Sequence, residues 1–428
     1  MEITEKKKIA IENSKTEQLE LDLKDKSEKL LEVRNLKVYF YTEEGIVKAV
    51  DGVSFDIYKD EVLGLVGETG CGKSVTALSI LQLVGEPGQI IEGSIKFNDI
   101  NLLKLSTPKM REYRGNQITM IFQDPLNSLN PVMSVGKQLS EVFLLHQKEE
   151  LHKTLDNRRL KRQKLIDEKE NLKNELRQKE KDGLISEEEE QDLLLRIKEL
   201  RDKIPKPPLL KNIALEEVEK IIKEVGIADA KGIIKRYPHE LSGGMRQRIM
   251  ISMALSCNPQ LLIADEPTTA LDVTIQAQIL DLMNILKKKF RTSLLLITHD
   301  LGIIAETCDR IAVMYSGNIV EYATANDLFK NPRHPYTQGL IGAIPSIETK
   351  DKELKTIRGM VPNLIYPPSG CRFHPRCDER LEICDKIKPS WIEISDRYYV
   401  ACHLYDPKHK DSPKYEWKTK EDIESYKV

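Results

Sequence analysis

Gly67-Glu68-Thr69-Gly70-Cys71-Gly72-Lys73-Ser74 follows the short apolar run Val62–Val66 and precedes residues that favour a helix, and this juncture limits the chain to few folds. A strand, a glycine-rich turn and a helix in that order form a phosphate-binding loop. The glycines let backbone N–H groups wrap phosphate oxygens, and the helix aims its positive end at them. In such a loop Lys73 reaches the β- and γ-phosphates and the Ser74 hydroxyl serves Mg2+. A second glycine-rich segment, Leu241-Ser242-Gly243-Gly244-Met245-Arg246-Gln247-Arg248, opens another predicted helix far downstream. It offers a second anion site at a helix N-terminus.

Around these landmarks the hydrophobic pattern alternates between strand and helix. Leu31–Phe40 and Val53–Ile57 alternate apolar and polar residues, as antiparallel strands do. Apolar runs at Val62–Val66, Ile118–Phe122, Leu261–Ala264, Leu294–Ile297 and Ile311–Met314 read as buried strands. Helices are predicted over about 73–84, 134–147, 245–257 and 272–288. Strands alternating with helices give a parallel α/β core. Residues 148–206 change character. Leu165, Leu172 and Leu176, then Leu193, Ile197, Leu200 and Ile204, keep heptad-compatible spacing on either side of Lys181-Asp182-Gly183. The pattern predicts an inserted antiparallel helical hairpin with arms of about 20–25 residues, roughly 30–38 Å each. A solvated, partly disordered insert is the plainer alternative for so charged a segment. Residues 1–30 read as a charged extension, 31–330 as the nucleotide-binding domain and 331–428 as a separate C-terminal module.

Of 428 residues, 31% are charged and the net charge is only -2, so bulk charge favours neither nucleic acid nor lipid as a partner. No apolar run reaches the ~18 residues of a membrane span, and the N-terminus lacks the apolar core of a signal peptide. A cytoplasmic chain is expected, reaching a membrane only through partners. Four of the seven cysteines, Cys371, Cys377, Cys384 and Cys402, cluster with 5, 6 and 17 residues between them. Four clustered thiols suit Zn2+ or a [4Fe–4S] cluster, or remain unmetallated.

Further motifs complete a nucleotide site. Leu261-Leu262-Ile263-Ala264-Asp265-Glu266 ends a strand in two carboxylates, Asp265 for the Mg2+ shell and Glu266 to polarise water as a general base. With Gln123 after Ile121-Phe122, Asp272 after Ala270-Leu271, His299 in Thr298-His299-Asp300 and the Ser242 segment, the chain resembles the ATP-binding cassette (ABC) superfamily. The resemblance makes Gln123 the Q-loop glutamine that reaches Mg2+ and water, His299 the switch histidine at the γ-phosphate and Asp272 the D-loop residue. It makes Leu241 through Met245 the signature that completes the ATP site of a second subunit. Phe40, or Tyr41 beside it, is the choice for stacking on adenine.

From about Leu31 to His403 the chain is similar, more narrowly, to ATPase subunits of oligopeptide/dipeptide (and nickel) importers. The stretches that carry this are Phe122-Gln123-Asp124-Pro125-Leu126-Asn127-Ser128-Leu129-Asn130-Pro131, Asn331-Pro332-Arg333-His334-Pro335-Tyr336-Thr337-Gln338-Gly339-Leu340 and Pro367-Pro368-Ser369-Gly370-Cys371-Arg372-Phe373-His374-Pro375-Arg376-Cys377. The resemblance implies an ABC-type P-loop core with an antiparallel β subdomain, a helical subdomain and a small Cys-containing C-terminal module. It implies ATP and Mg2+, and an iron–sulfur cluster on the four cysteines. It implies as partners a second, related ATPase, two transmembrane permease subunits and an extracytoplasmic peptide-binding protein, with the chain peripheral on the cytoplasmic face of the membrane. The hairpin departs from that pattern and is expected to dock another protein. A soluble ABC ATPase acting on nucleic acid or ribosomes is the alternative. The arms are short for it, and no basic, aromatic-interleaved patch supports it. An exporter motor is disfavoured by the C-terminal motif.

Overall fold

The computed structural model describes residues 28–124, 128–183, 185–269, 271–344 and 357–408. The extension expected over 1–30 therefore lies almost wholly outside the described residues, as do 345–356, 409–428, Pro125-Leu126-Asn127 and Ala270. In chain order the strands are β1 (Lys29–Thr42), β2 (Gly45–Tyr58), β3 (Val62–Val66), β4 (Gly88–Phe97), β5 (Ile100–Asn101), β6 (Ile118–Ile121), β7 (Leu261–Asp265), β8 (Ser293–Thr298), β9 (Arg310–Tyr315), β10 (Asn318–Thr324), β11 (Ile392–Ser395) and β12 (Tyr398–Val400). The main helices are α1 (Lys73–Ile80), α2 (Val135–His146), α3 (Lys148–Asp182), α4 (Glu187–Lys203), α5 (Leu210–Glu224), α6 (Gly243–Leu255), α7 (Val273–Phe290) and α8 (Pro335–Gly342).

The chain divides into two compact units, one made of residues 1–124 with 258–428 and the other of 125–257. The first holds two sheets. An eight-stranded sheet runs β11-β12-β10-β9-β3-β8-β7-β6, and a four-stranded one runs β2-β1-β4-β5. Within the large sheet β9, β3, β8, β7 and β6 are parallel, and β10 and β12 add antiparallel strands at one side. Every residue of β3, β7, β8 and β9 is buried. Helices cover both faces of a parallel sheet, so its strands read as continuous apolar runs, whereas β1 roughly alternates buried and less buried residues as an antiparallel strand with one wet face does.

Parallel pairing decides where the motifs go. All carboxyl ends of β3, β6, β7 and β8 emerge at one edge, the edge where open α/β sheets bind ligands. The phosphate loop, Gln123, Asp265-Glu266 and His299 follow these four strands. Helix α1 stops at Ile80, short of the expected 84. Gln82 takes a left-handed conformation (φ 50°). Its N–H donates to Ser79 O at 3.0 Å and the Leu83 N–H to Leu78 O at 2.8 Å. This is a Schellman ending built without glycine.

In the second unit the insert is helical, with unequal arms. α3 has 35 residues and α4 has 17, where two arms of similar length were expected. The turn falls where the sequence places it, with Gly183 left-handed at the C-cap of α3. The extra length of α3 lies at its base. There Leu151 and Leu155 are buried, and Arg158 holds Glu216 of α5 through two bonds of 2.9 and 2.5 Å. Further out only Leu176 and Leu193 are buried, so the heptad pattern supplies a thin seam. Among the described residues no helix is long and apolar enough to cross a membrane.

A buried ion pair joins the start of β3 to β9. Arg310 Nε lies 2.5 Å from Glu61 Oε1 and its Nη2 donates to Glu61 Oε2 at 3.0 Å, with the guanidinium over the Tyr58 and Tyr322 rings. Removing one member of a buried pair leaves the other uncompensated. Glu61→Gln is expected to lower unfolding stability by about 3 kcal/mol, read as a reduced midpoint in urea denaturation followed by circular dichroism. An unchanged midpoint would show that the pair is not a clamp.

Candidate nucleotide site

The loop after β3 is seated so closely that neither Gly67 nor Gly72 has room for a side chain. A Cβ on Gly67 would collide with the Met314 carbonyl oxygen, and one on Gly72, whose φ is 106°, with that of Ala49. The loop is also stitched to the β9–β10 turn, since Gly317 N–H donates to Cys71 O at 2.9 Å. Gly72 caps α1, whose first residues are Lys73 and Ser74. Lys73 is buried and its ammonium donates to the Gly67 and Glu68 carbonyls at 2.7 and 3.1 Å.

Asp265 ends β7 beside this loop, where the neighbouring Ser74 hydroxyl favours its charged form. Burial, with the neighbouring Glu266 charge, pushes its carboxyl above the usual range, against the opposing effects of Ser74 and Lys73. Its Oδ1 is buried without a hydrogen-bond partner among the described residues. A buried carboxylate with one uncommitted oxygen, next to a serine hydroxyl and a phosphate cradle, suits the hard oxygen coordination of Mg2+.

Glu266 is left-handed at φ 46°, and its N–H is fixed to Ile297 O at 2.8 Å. Such a backbone in a residue other than glycine costs on the order of 1–3 kcal/mol and gathers at functional sites. Gln123 Nε2 donates to Glu266 Oε2 at 2.8 Å, Thr269 Oγ1 to the same oxygen at 3.2 Å, and His299 Nδ1 lies 3.2 Å from Oε1. Residues from three strand ends thus meet on one carboxylate. Burial disfavours its charge, but His299, Gln123 and Lys73 outweigh that and hold the carboxyl below the usual range. His299 itself is exposed.

Asp272 N-caps α7 by accepting from Ile275 N–H at 2.9 Å. Ser242 caps α6 by accepting from Met245 N–H at 3.4 Å. Leu241 is buried, Ser242 and Gly243 are exposed and Gly244 and Met245 are half-buried, so the signature presents a helix N-terminus at the surface of its unit. Phe40 packs against Gly88, where a Cβ would come within 2.6 Å of its ring, while Tyr41 is exposed.

The ABC transporter family model matches residues 50–269, and the oligopeptide/dipeptide transporter C-terminal region matches 320–384. The oligopeptide transport ATP-binding protein AppD of Bacillus subtilis is 44% identical over 88% of this chain and 97% of its own length. The dipeptide transport ATP-binding protein DppD of the same organism is 42% identical over 89% and 96%, and OppD of Salmonella typhimurium 42% over 84% and 89%. The chain belongs to the oligopeptide/dipeptide branch of the ABC transporter ATPases. It is an ATP-hydrolysing cassette, and the nucleic-acid alternative finds no support among these relatives.

The iron–sulfur expectation is corrected. Among the described residues no group of three or more His, Cys, Asp or Glu is placed to hold a metal ion, and the cysteines of this ATPase are free. Burial pushes the Cys371 and Cys377 thiols up to about 11 and raises the Cys402 thiol too. Nearby, His374 Nδ1 is hydrogen-bonded with Cys371 O and His403 Nε2 with Ile387 O, each at 2.8 Å.

The sequence reading missed what the C-terminal motifs touch. Arg376 reaches Glu68 in the phosphate loop, Tyr336 meets the Glu68 N–H, and Arg372 holds Asp51. All three lie in quoted motifs, but nothing in a linear motif names its contact.

The depressed pKa of Glu266 carries a stability prediction. Its contribution is present above the ordinary carboxylate value of about 4.3 and is lost as pH falls through the lower folded value. Glu266→Gln should flatten the acid side of the melting-temperature profile; superimposable profiles would mean that its partners do not stabilise the charge.

Proposed function

We propose that the chain is the ATP-hydrolysing motor of a peptide importer. The observation that carries this reading is the convergence of Gln123 and His299 on Glu266 beside the phosphate loop. In this reading Gly67, Glu68, Thr69, Gly70, Cys71, Gly72, Lys73 and Ser74 hold the phosphates. Ser74, Asp265 and Gln123 would hold Mg2+, which when bound would offset phosphate charge. Glu266, its charge secured, accepts a proton from the attacking water. His299 and Gln123 keep the carboxylate aimed. Hydrogen bonds to both carboxylate oxygens fix the base before substrate arrives, which is the geometric part of the catalysis.

Leu241, Ser242, Gly243, Gly244 and Met245 present their helix N-terminus to the γ-phosphate on a second cassette, with Asp272 at the junction. A dimer is then the catalytic unit, and a related second ATPase is the partner we favour. Two permeases carry the motion across the membrane, and an external binding protein delivers the peptide. The chain sits on the cytoplasmic face. Its relatives at 41–44% identity are named for oligopeptide and dipeptide transport, which supports peptides as the cargo.

Glu266→Gln is expected to lower ATP turnover by about 10²–10⁴-fold while leaving ATP binding intact. Purified from its native cells with ATP present, this variant should bring down a second cassette ATPase and two permeases. Near-normal turnover would remove Glu266 from the role of base, and recovery of ribosomal or DNA-bound proteins instead would overturn the transport reading.

A further inference from the structure

Glu68 places a carboxylate inside a loop that has to hold a triphosphate, and like charges at such range repel. The structure answers that charge from the C-terminal module. Arg376 Nη1 lies 2.7 Å from Glu68 Oε2 and Nη2 3.0 Å from Oε1. The two parallel bonds of this fork fix direction as well as charge. The Arg376 side chain is 5% exposed against 28% for Glu68, so water screens little of the pair. Its Nε donates to Arg358 O at 2.9 Å, and its guanidinium lies over the Tyr315 ring at 5.7 Å.

Beneath it three rings from separate segments pack together. Tyr315 ends β9, Tyr336 lies in α8 and Phe373 stands three residues before Arg376, with centroids 4.6 Å apart for Tyr315–Tyr336, 5.2 Å for Tyr315–Phe373 and 5.4 Å for Tyr336–Phe373. Tyr336 also accepts the Glu68 N–H at 3.0 Å. Arg372 gives a second hold. It bonds the Ser316 carbonyl and lies 2.5 Å from Asp51 Oδ2, bracing the turn whose Gly317 N–H holds Cys71 O. The segment 371–377 therefore holds the phosphate loop directly through Arg376 and indirectly through Arg372, by way of the turn at Ser316-Gly317, and its cysteines frame the two arginines.

We propose that Arg376 is a positioning residue of the ATP site: by neutralising Glu68 and fixing the phosphate loop, the C-terminal module sets the affinity of this chain for Mg-nucleotide. The module is thereby part of the ATP-binding machinery. Without Arg376 the phosphate loop carries an unanswered negative charge. Without both partners the repulsion is gone.

The test is calorimetric titration of the full chain with the non-hydrolysable analogue AMP-PNP and Mg2+, in parallel with melting temperature. Arg376→Gln should weaken binding by about tenfold or more, a loss that grows as salt is lowered. Glu68→Gln/Arg376→Gln should recover most of the affinity that Arg376→Gln loses, with Glu68→Gln alone as its reference. That recovery separates charge neutralisation from mere support of the module, which removing a second partner cannot restore. Arg376→Lys, which keeps the charge without the fork, should fall between Arg376→Gln and wild type, and it carries the comparison if Arg376→Gln does not fold. Wild-type affinity in Arg376→Gln, or a double variant no better than Arg376→Gln, overturns the proposal. Because the readout is binding without turnover or transport, the result stands apart from the roles proposed for Glu266 and for the peptide cargo.

Discussion

The narrow seat of the phosphate loop is the constraint on which the rest of the structure depends. The loop backbone passes so close to the Met314 and Ala49 carbonyls that only glycine fits at positions 67 and 72. That closeness holds the loop in place before any nucleotide arrives. A loop fixed in advance loses less conformational freedom when it binds, which is how rigidity becomes affinity. Strand β3 supplies the base of this seat, and Glu61–Arg310 ties the residue just before it to β9, the same strand that carries Met314.

A single carboxylate organises the chemistry beside that loop. Glu266 sits at a strained backbone position, with one oxygen toward Gln123 and Thr269 and the other toward His299. Asp265, one residue earlier, has the opposite character, its charge disfavoured by burial and one oxygen left over. Adjacent carboxylates with opposed pKa shifts suit different tasks, and opposed environments are how one site assigns its acids and bases. The left-handed turn at Glu266 separates them, because it sends the second side chain away from the direction of the strand.

The C-terminal region is joined to this centre by strand pairing and by side chains. Its β12 pairs with β10 and extends the large sheet, while Arg372 and Arg376 reach back to the phosphate loop and its neighbouring turn. A short cysteine-containing segment without much secondary structure of its own is held by aromatic packing, by buried thiols and by these two guanidinium groups. Cys384 and Cys402 are buried and pack as small apolar groups.

Much of this was legible in the sequence. The strands β3, β7, β8 and β9 were visible because burial on both faces demands continuous apolar runs. The phosphate loop and the Asp265-Glu266 pair stood out because their chemistry needs particular residue types beside strand ends, and Gln123 and His299 stood out through the family resemblance. Less was visible where several local solutions exist. Gln82 ended α1 without the glycine that would have announced the stop. The hairpin arms differed in length because the base of α3 is held by α5, through Arg158 and Glu216, beyond the reach of a heptad pattern. The cysteine spacing suggested a cluster that the folded module does not assemble.

What the sequence determined by itself is the local chemistry: which residue types stand at which strand ends, and a parallel core that must bring those ends to one edge. What only the tertiary structure decided is which charges meet. Glu68 and Arg376 are 308 positions apart, and no periodicity or spacing couples residues so distant. Their pairing exists because the sheet and three packed rings place them face to face.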